Sequence, residues 1–257
     1  MTNIHPTAII SSHASIGNNV TVGPNSIIEA DTIIGDDVIV GANCLVAQYT
    51  ELGNNVKLSH GVVVGTAPQD LKFGGEKTRL VIGEGTTIRE YAMLNRGTAK
   101  SGETIVGKNC FLMAYSHIAH DCRVGDNVIL ANAVNLAGHI EIGDYAIIGG
   151  VVPVHQFVKI GQHAMIGGGF RVPQDVCPYA MAGGYPLRIV GLNKIGLSRR
   201  GFKPETLQML HRAFKILFFS NLNRTQAVEK MEAELELTKE IRIILDFIKS
   251  STRGLTV

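Results

Sequence analysis

Residues 14–46 read ASIGNN VTVGPN SIIEAD TIIGDD VIVGAN CLV and divide into sixes, each with an aliphatic residue at its third place: Ile16, Val22, Ile28, Ile34, Val40, Val46. Outward from this stretch the same register starts at Ile4 and runs through Ile10 to Leu52, Leu58 and Val64. It resumes at Ile82, Ile88 and Leu94, and again from Val106 to Val172. Of the 29 positions from 4 to 172, 26 are Ile, Leu or Val; these types make up 70 of 257 residues, so chance would supply only about 8. The exceptions are Asp70, Glu76 and Lys100. Six is not a multiple of 3.6, so an amphipathic helix is excluded.

Two residues before each register position stands a small or β-branched residue, as at Ala14, Val20, Ser26, Thr32, Val38 and Cys44. Side chains alternate along a strand, so both positions face inward. Gly17, Gly23, Gly35, Gly41, Gly53, Gly83, Gly107, Gly125, Gly143 and Gly161 follow the register, where a tight turn is expected. Six residues make one side and eighteen close a three-sided coil: a parallel β-helix, an all-β solenoid. Coils about 4.8 Å apart predict nine to ten turns over residues 4–177, a prism roughly 45 Å long.

The domain reading is a β-helix over 1–177, interrupted by loops at 66–79 and 98–104, a connector over 178–203, and a small α-helical domain over 204–257. Pro204 opens a helix carrying Leu207, Leu210, Phe214 and Leu217. A second starts near Thr225, and a third carries Ile241, Ile244, Leu245 and Ile248. These stripes predict a cap over the open end of the solenoid.

Lys and Arg number 24 against 22 Asp and Glu, a net charge of +2 that excludes bulk polycation binding to nucleic acid. No secretory start and no uninterrupted apolar run long enough for an integral membrane segment are read. Cys44, Cys110, Cys122 and Cys177 lack CxxC spacing; the first three fall in the small inward slot and read as buried space-fillers in a reduced, cytoplasmic protein. Charged residues are only 18%, which suggests surface covered by a partner or another copy.

Register positions eighteen apart share a side, so Ile118, Leu136 and Val154 stack and bring His120, His139 and His155 onto neighbouring rungs. By the same count Val64 and Ile82 lie on that side, so loop 66–79 is expected to leave from and return to the histidine face. Asp121 follows His120 and is placed to orient its imidazole. Gly138 stacks on His120 and leaves an N–H open to a substrate oxygen. A base beside a donor is the minimum for acyl transfer. A three-histidine zinc site is the rival. It is disfavoured because His117 and His120 should not converge and no third ligand is expected nearby, so no metal is assigned. A non-catalytic solenoid that binds a protein partner is the remaining alternative.

The segments Gln69-Asp70-Leu71-Lys72, Asn95-Arg96-Gly97-Thr98, His117-Ile118-Ala119-His120-Asp121-Cys122, Leu136-Ala137-Gly138-His139, Val154-His155-Gln156-Phe157, Arg199-Arg200-Gly201-Phe202 and Ser251-Thr252-Arg253-Gly254 occur in this order. On them the chain resembles the bacterial UDP-N-acetylglucosamine O-acyltransferases of lipid A biosynthesis, nearly end to end. The resemblance implies a left-handed coil, a homotrimer and transfer of a (R)-3-hydroxyacyl group from acyl carrier protein to the sugar 3-hydroxyl. It implies His120 as general base, Asp121 as its orienter and the Gly138 N–H as oxyanion hole. Asp70, Lys72, His117, His139, His155, Gln156, Arg199 and Arg200 would line the substrate sites. Gly168 would leave the acyl groove open for a donor of about twelve to sixteen carbons. No cofactor is implied beyond the phosphopantetheine that carries the acyl group. Lys194, Arg199, Arg200, Lys203, Arg212 and Lys215 against Glu205 suit an acidic carrier. Asn193-Lys194-Ile195-Gly196 and Gly183-Gly184-Tyr185-Pro186-Leu187-Arg188 depart from the family pattern, leaving a 3-amino acceptor open. The related N-acyltransferase carries a uridine-binding domain ahead of its β-helix, whereas here the repeat starts at Ile4.

Overall fold

The computed structural model describes residues 2–257. The eighteen-residue step appears directly in the strand pairing, all parallel within the coil: Ile4 lies beside Val22, Ile10 beside Ile28 and Ile16 beside Ile34. Three sheets result. Face 1 runs from Asn3–Ile4 to Met165–Ile166, face 2 from Ile9–Ile10 to Pro153–Val154, and face 3 from Ser15–Ile16 to Lys159–Ile160. Inward positions are sealed: Val20, Val38, Leu94, Ile118 and Leu136 are each 0% exposed. Burying one such side chain contributes about 1.5–3 kcal/mol, and the column repeats it along the axis.

Three expectations are corrected. Faces 2 and 3 hold eight strands each. The coil therefore completes eight turns and begins a ninth, which closes only through the bridges Val154–Val172 and Ile160–Val176. The missing turn is the two loops. Val64 to Ile82 spans 18 = 6 + 12 residues and Leu94 to Val106 spans 12 = 6 + 6, so 12 + 6 = 18 residues leave the coil without lengthening it.

Second, Val64 and Ile82 do not share a side. Val64 pairs with Val46 and Leu94 on face 2, while Ile82 pairs with Leu52 and Val106 on face 3. Loop 66–79 leaves one face and enters the next. So does loop 98–104. Both therefore stand on the same edge, between faces 2 and 3.

Third, the repeated glycines do not make the turn. The left-handed residue comes two places later, at Asn19 (φ 55°), Asn25 (φ 57°) and Asp37 (φ 58°), types that tolerate that region. What Gly17 supplies is closeness: a Cβ there would lie 2.7 Å from the backbone of Gly35 on the next coil.

Past the coil, the connector is more ordered than its composition suggests. Strands Ala180–Gly183 and Arg188–Leu192 form an antiparallel hairpin that extends face 1, and a short helix α1 (Lys194–Arg199) follows. Helices α2 (Pro204–Phe218), α3 (Arg224–Glu234) and α4 (Lys239–Ser250) carry the apolar stripes inward. α3 starts at Arg224 because Asn223 caps it, with Gln226 completing the capping box. The helical part is anchored to the last coil: Ser251 Oγ donates to Asp175 Oδ2 at 2.7 Å, and Thr256 N–H donates to the Asp175 carbonyl at 2.8 Å.

Candidate active site

Along the edge between faces 2 and 3 the chain builds two columns, because corner residues eighteen apart stack. One column is His120, Gly138, Gln156. The next is Asp121, His139, Phe157, all left-handed at φ 61°, 62° and 65°. In the first, the bare glycine is sterically required: a Cβ on Gly138 would lie 2.6 Å from His120 Cε1 and 2.8 Å from Nε2. In the second, the His139 and Phe157 rings stack with centroids 4.6 Å apart, and His120 meets His139 edge-on at 5.1 Å.

Asp121 is the anchor. Its side chain is fully buried, and Oδ2 lies 2.7 Å from His120 Nδ1, with His139 Nε2 at 3.6 Å. Burial alone would raise this carboxyl, yet hydrogen bonds from Ser101, Thr98 and His120 outweigh it and hold the pKa at about 2. The carboxylate is therefore charged at neutral pH and fixes the proton of His120 on Nδ1, leaving Nε2 as an acceptor. Burial lowers the pKa of His139, with the Asp121 carboxylate opposing and the Lys100 charge adding to the shift. Burial also lowers that of His117, whose Nδ1 is 3.1 Å from the Met93 carbonyl oxygen.

Beside these columns lies a cleft of 820 Å³ lined by Asp70, Lys72, Lys100, His120, His139 and Gln156. Its outer wall is loop 66–79, rooted by the segment from Asn95 to Gly97. Asn95 Nδ2 donates to Thr66 Oγ1 at 2.9 Å and to the Ala67 carbonyl at 3.1 Å. Thr78 Oγ1 donates to the Gly97 carbonyl at 2.6 Å, and the Arg96 guanidinium sits 5.5 Å over the Phe73 ring.

Other candidates lie elsewhere. His155 is drawn toward Arg253, whose Nη2 is 2.9 Å from its Nδ1. Gly168 is on the edge between faces 1 and 2, where a Cβ would approach the Gly150 carbonyl oxygen to 3.1 Å. Arg200 is on the third edge, 5.3 Å over the Tyr145 ring, and Arg199 is exposed at the end of α1. Thr98, Ser101 and Lys100 join the site without having been assigned roles. The available signal was that loop 98–104 is polar and returns to the coil.

The expected lack of a third ligand-bearing group is also corrected: His120, Asp121 and His139 place ligand atoms within 4.8 Å of one another. The donor set nevertheless suits a hydrogen-bonded dyad better than a metal. Both Asp121 oxygens already accept hydrogen bonds, Oδ1 from Thr98 N–H and Ser101, and Oδ2 from Thr98 Oγ1 and His120.

This is the architecture of a hexapeptide-repeat transferase. The family model described as bacterial transferase hexapeptide (six repeats) matches residues 13–48, 31–66 and 103–138. A second model, described as UDP N-acetylglucosamine O-acyltransferase, domain 2, matches 175–256. The acyl-[acyl-carrier-protein]–UDP-N-acetylglucosamine O-acyltransferase of Chlorobaculum tepidum is 62% identical over 251 residues, 97% of this chain and 95% of the relative. That of a Sulfurihydrogenibium species is 57% identical over 256 residues, 99% of this chain and 94% of the relative. Among solved structures, the UDP-N-acetylglucosamine acyltransferase from Bacteroides fragilis superposes with a TM-score of 0.97 at 42% identity, covering 98% of this chain and 99% of that one. The chain belongs to the UDP-N-acetylglucosamine O-acyltransferase family, and its coil is the left-handed parallel β-helix of that family.

Proposed function

We propose that this protein transfers a (R)-3-hydroxyacyl group from acyl carrier protein to the 3-hydroxyl of UDP-N-acetylglucosamine, the first step of lipid A biosynthesis. The observation that carries the chemistry is the His120–Asp121 pair at 2.7 Å against Gly138. His120 Nε2 takes the proton of the sugar hydroxyl as its oxygen attacks the thioester carbonyl. The oxyanion meets the Gly138 N–H, which makes no hydrogen bond among the described residues. Collapse breaks the C–S bond, and His120 returns the proton to the departing thiol. Asp70, Lys72, Lys100 and Gln156 line the space beside the base and supply polar contacts for the nucleotide sugar. Relatives bearing an O-acyltransferase name favour the hydroxyl acceptor over a 3-amino analogue.

The reaction needs no metal: the thioester is already activated and the base is oriented by a carboxylate. Full activity after exhaustive chelation is expected; loss restored by zinc would overturn this part. The carrier docks near a groove of 1040 Å³ between α1, α2 and the hairpin, where Lys194, His211 and Lys215 border apolar Leu207 and Phe214. That mixture suits an acidic partner.

The working unit is a homotrimer. The candidate groups occupy three different edges of one prism, so Arg200 and Gly168 reach the His120 cleft only from another copy. Leu71, fully exposed on the cleft's outer loop, fits the same packing. No helix among the described residues is long and apolar enough to cross a membrane. Four free, buried cysteines fit a reducing cytoplasm. Incubation with UDP-N-acetylglucosamine and a panel of hydroxyacyl carrier proteins, read by mass, tests the whole reading; a panel without any acylated sugar nucleotide refutes it.

A further inference from the structure

The six residues by which loop 98–104 exceeds a regular turn deliver a set of hydrogen-bond donors to one buried carboxylate. Thr98 N–H donates to Asp121 Oδ1 at 3.0 Å and Thr98 Oγ1 donates to Oδ2 at 2.7 Å. Ser101 Oγ donates to Oδ1. From the far side of the same loop, Thr104 Oγ1 accepts the Asp121 N–H at 2.8 Å, locking the left-handed corner. His120 Nδ1 completes the shell at Oδ2. An unpaired buried carboxylate would be costly and prone to neutralise. Here each oxygen accepts two hydrogen bonds, so the anion stays charged and its plane is set. Three of these four hydrogen bonds come from the loop: two from Thr98 and one from Ser101.

We infer that Thr98 and Ser101 are positioning residues of the transfer reaction, acting through Asp121 to hold the His120 imidazole in its reactive tautomer and orientation. This rests on the reading of His120 as general base. The effect on acidity has a definite sign. Donors on Asp121 share its negative charge. Removing them makes the carboxylate more basic, which moves the acid limb of the activity profile to higher pH. Other charges facing the pair are His117 and His139 on neighbouring rungs, Lys100 on the same loop and Asp70 on the other loop. None of them is altered by the test variants.

The test compares pH profiles of kcat/KM for Thr98→Val, Ser101→Ala and the double variant, with Thr98→Ser and His120→Ala alongside. The double variant should lose about tenfold or more in kcat/KM at neutral pH, with the fall mainly in kcat. Its acid limb should move up by roughly half a pH unit or more. Thr98→Ser, which keeps the hydroxyl, should bring the limb back. An acid limb that stays put in the double variant, whether activity is unchanged or reduced equally at every pH, overturns the inference. His120→Ala separates the two levels. Substantial turnover in it removes the general-base reading itself, whereas an inactive His120→Ala beside an unmoved limb overturns only the role of Thr98 and Ser101.

Discussion

At the scale of single residues, the site depends on where a side chain is absent as much as on where one is present. The His120 ring is tied to Asp121 and cannot swing aside without losing that bond. Gly138→Ala would place a methyl 2.6–2.8 Å from ring atoms. A loss of about a hundredfold or more in kcat, with the far-ultraviolet circular dichroism unchanged, is expected from displacing the His120 ring. His120→Ala should cost about 10²–10⁴ in kcat while the assembly stays folded. Gly168→Met should shorten the preferred acyl chain, measured by competition between donors; unchanged selectivity would remove Gly168 from the acyl groove. The His120, Asp121 and Gly138 set was legible in the sequence because an eighteen-residue period dictates which residues stack. Thr98, Ser101 and Lys100 were not, because the repeat sets no phase inside a loop. The glycines were legible as special, but for the wrong reason: their periodicity shows that a side chain is not tolerated, without showing whether a dihedral or a neighbouring backbone excludes it.

At the scale of elements, the edge between faces 3 and 1 offers a measurable contrast. Tyr145, His163 and Tyr179 stack there at 4.9 and 5.7 Å, with Phe202 edge-on to His163 at 5.1 Å. Burial, with the Arg200 charge, lowers the His163 pKa to about 4. Its folded value is thus below that of the unfolded chain. Between about pH 6.5 and 4 the unfolded state binds the extra proton, so stability is full above this window and falls as pH drops through it. The expected loss is at most about 3 kcal/mol, seen as a falling denaturation midpoint, and His163→Phe should flatten the slope. A slope unchanged in that variant would assign the effect to other groups. Periodicity revealed the strands and the stripes of α2 to α4. It was silent on the hairpin and α1, since after Val172 the register ends and a six-residue helix is too short to show an apolar stripe.

At the scale of the whole molecule, the three-sided count placed the histidine rungs correctly but misassigned Ile82. Sequence separation alone does not distinguish eighteen residues wound into a coil from six wound and twelve looped out. The proposed trimer makes a sharp prediction. His120→Ala and Arg200→Ala chains, each inactive alone, should regain about a quarter of wild-type activity when co-refolded at equal ratio, because half the subunits carry each intact residue. No recovery in the mixed assembly would place both residues in one subunit's site or outside the site. The solenoid itself has a further consequence. Each turn touches only the turns above and below it, and the amino-terminal turn has a neighbour on one side only, leaving the inward Ile4 exposed. Amide protons should therefore exchange in a gradient, fastest at that end and slowest in the middle turns. The ladder would fray from its first rung, and partial melting would erode several turns before it loosened the reacting groups.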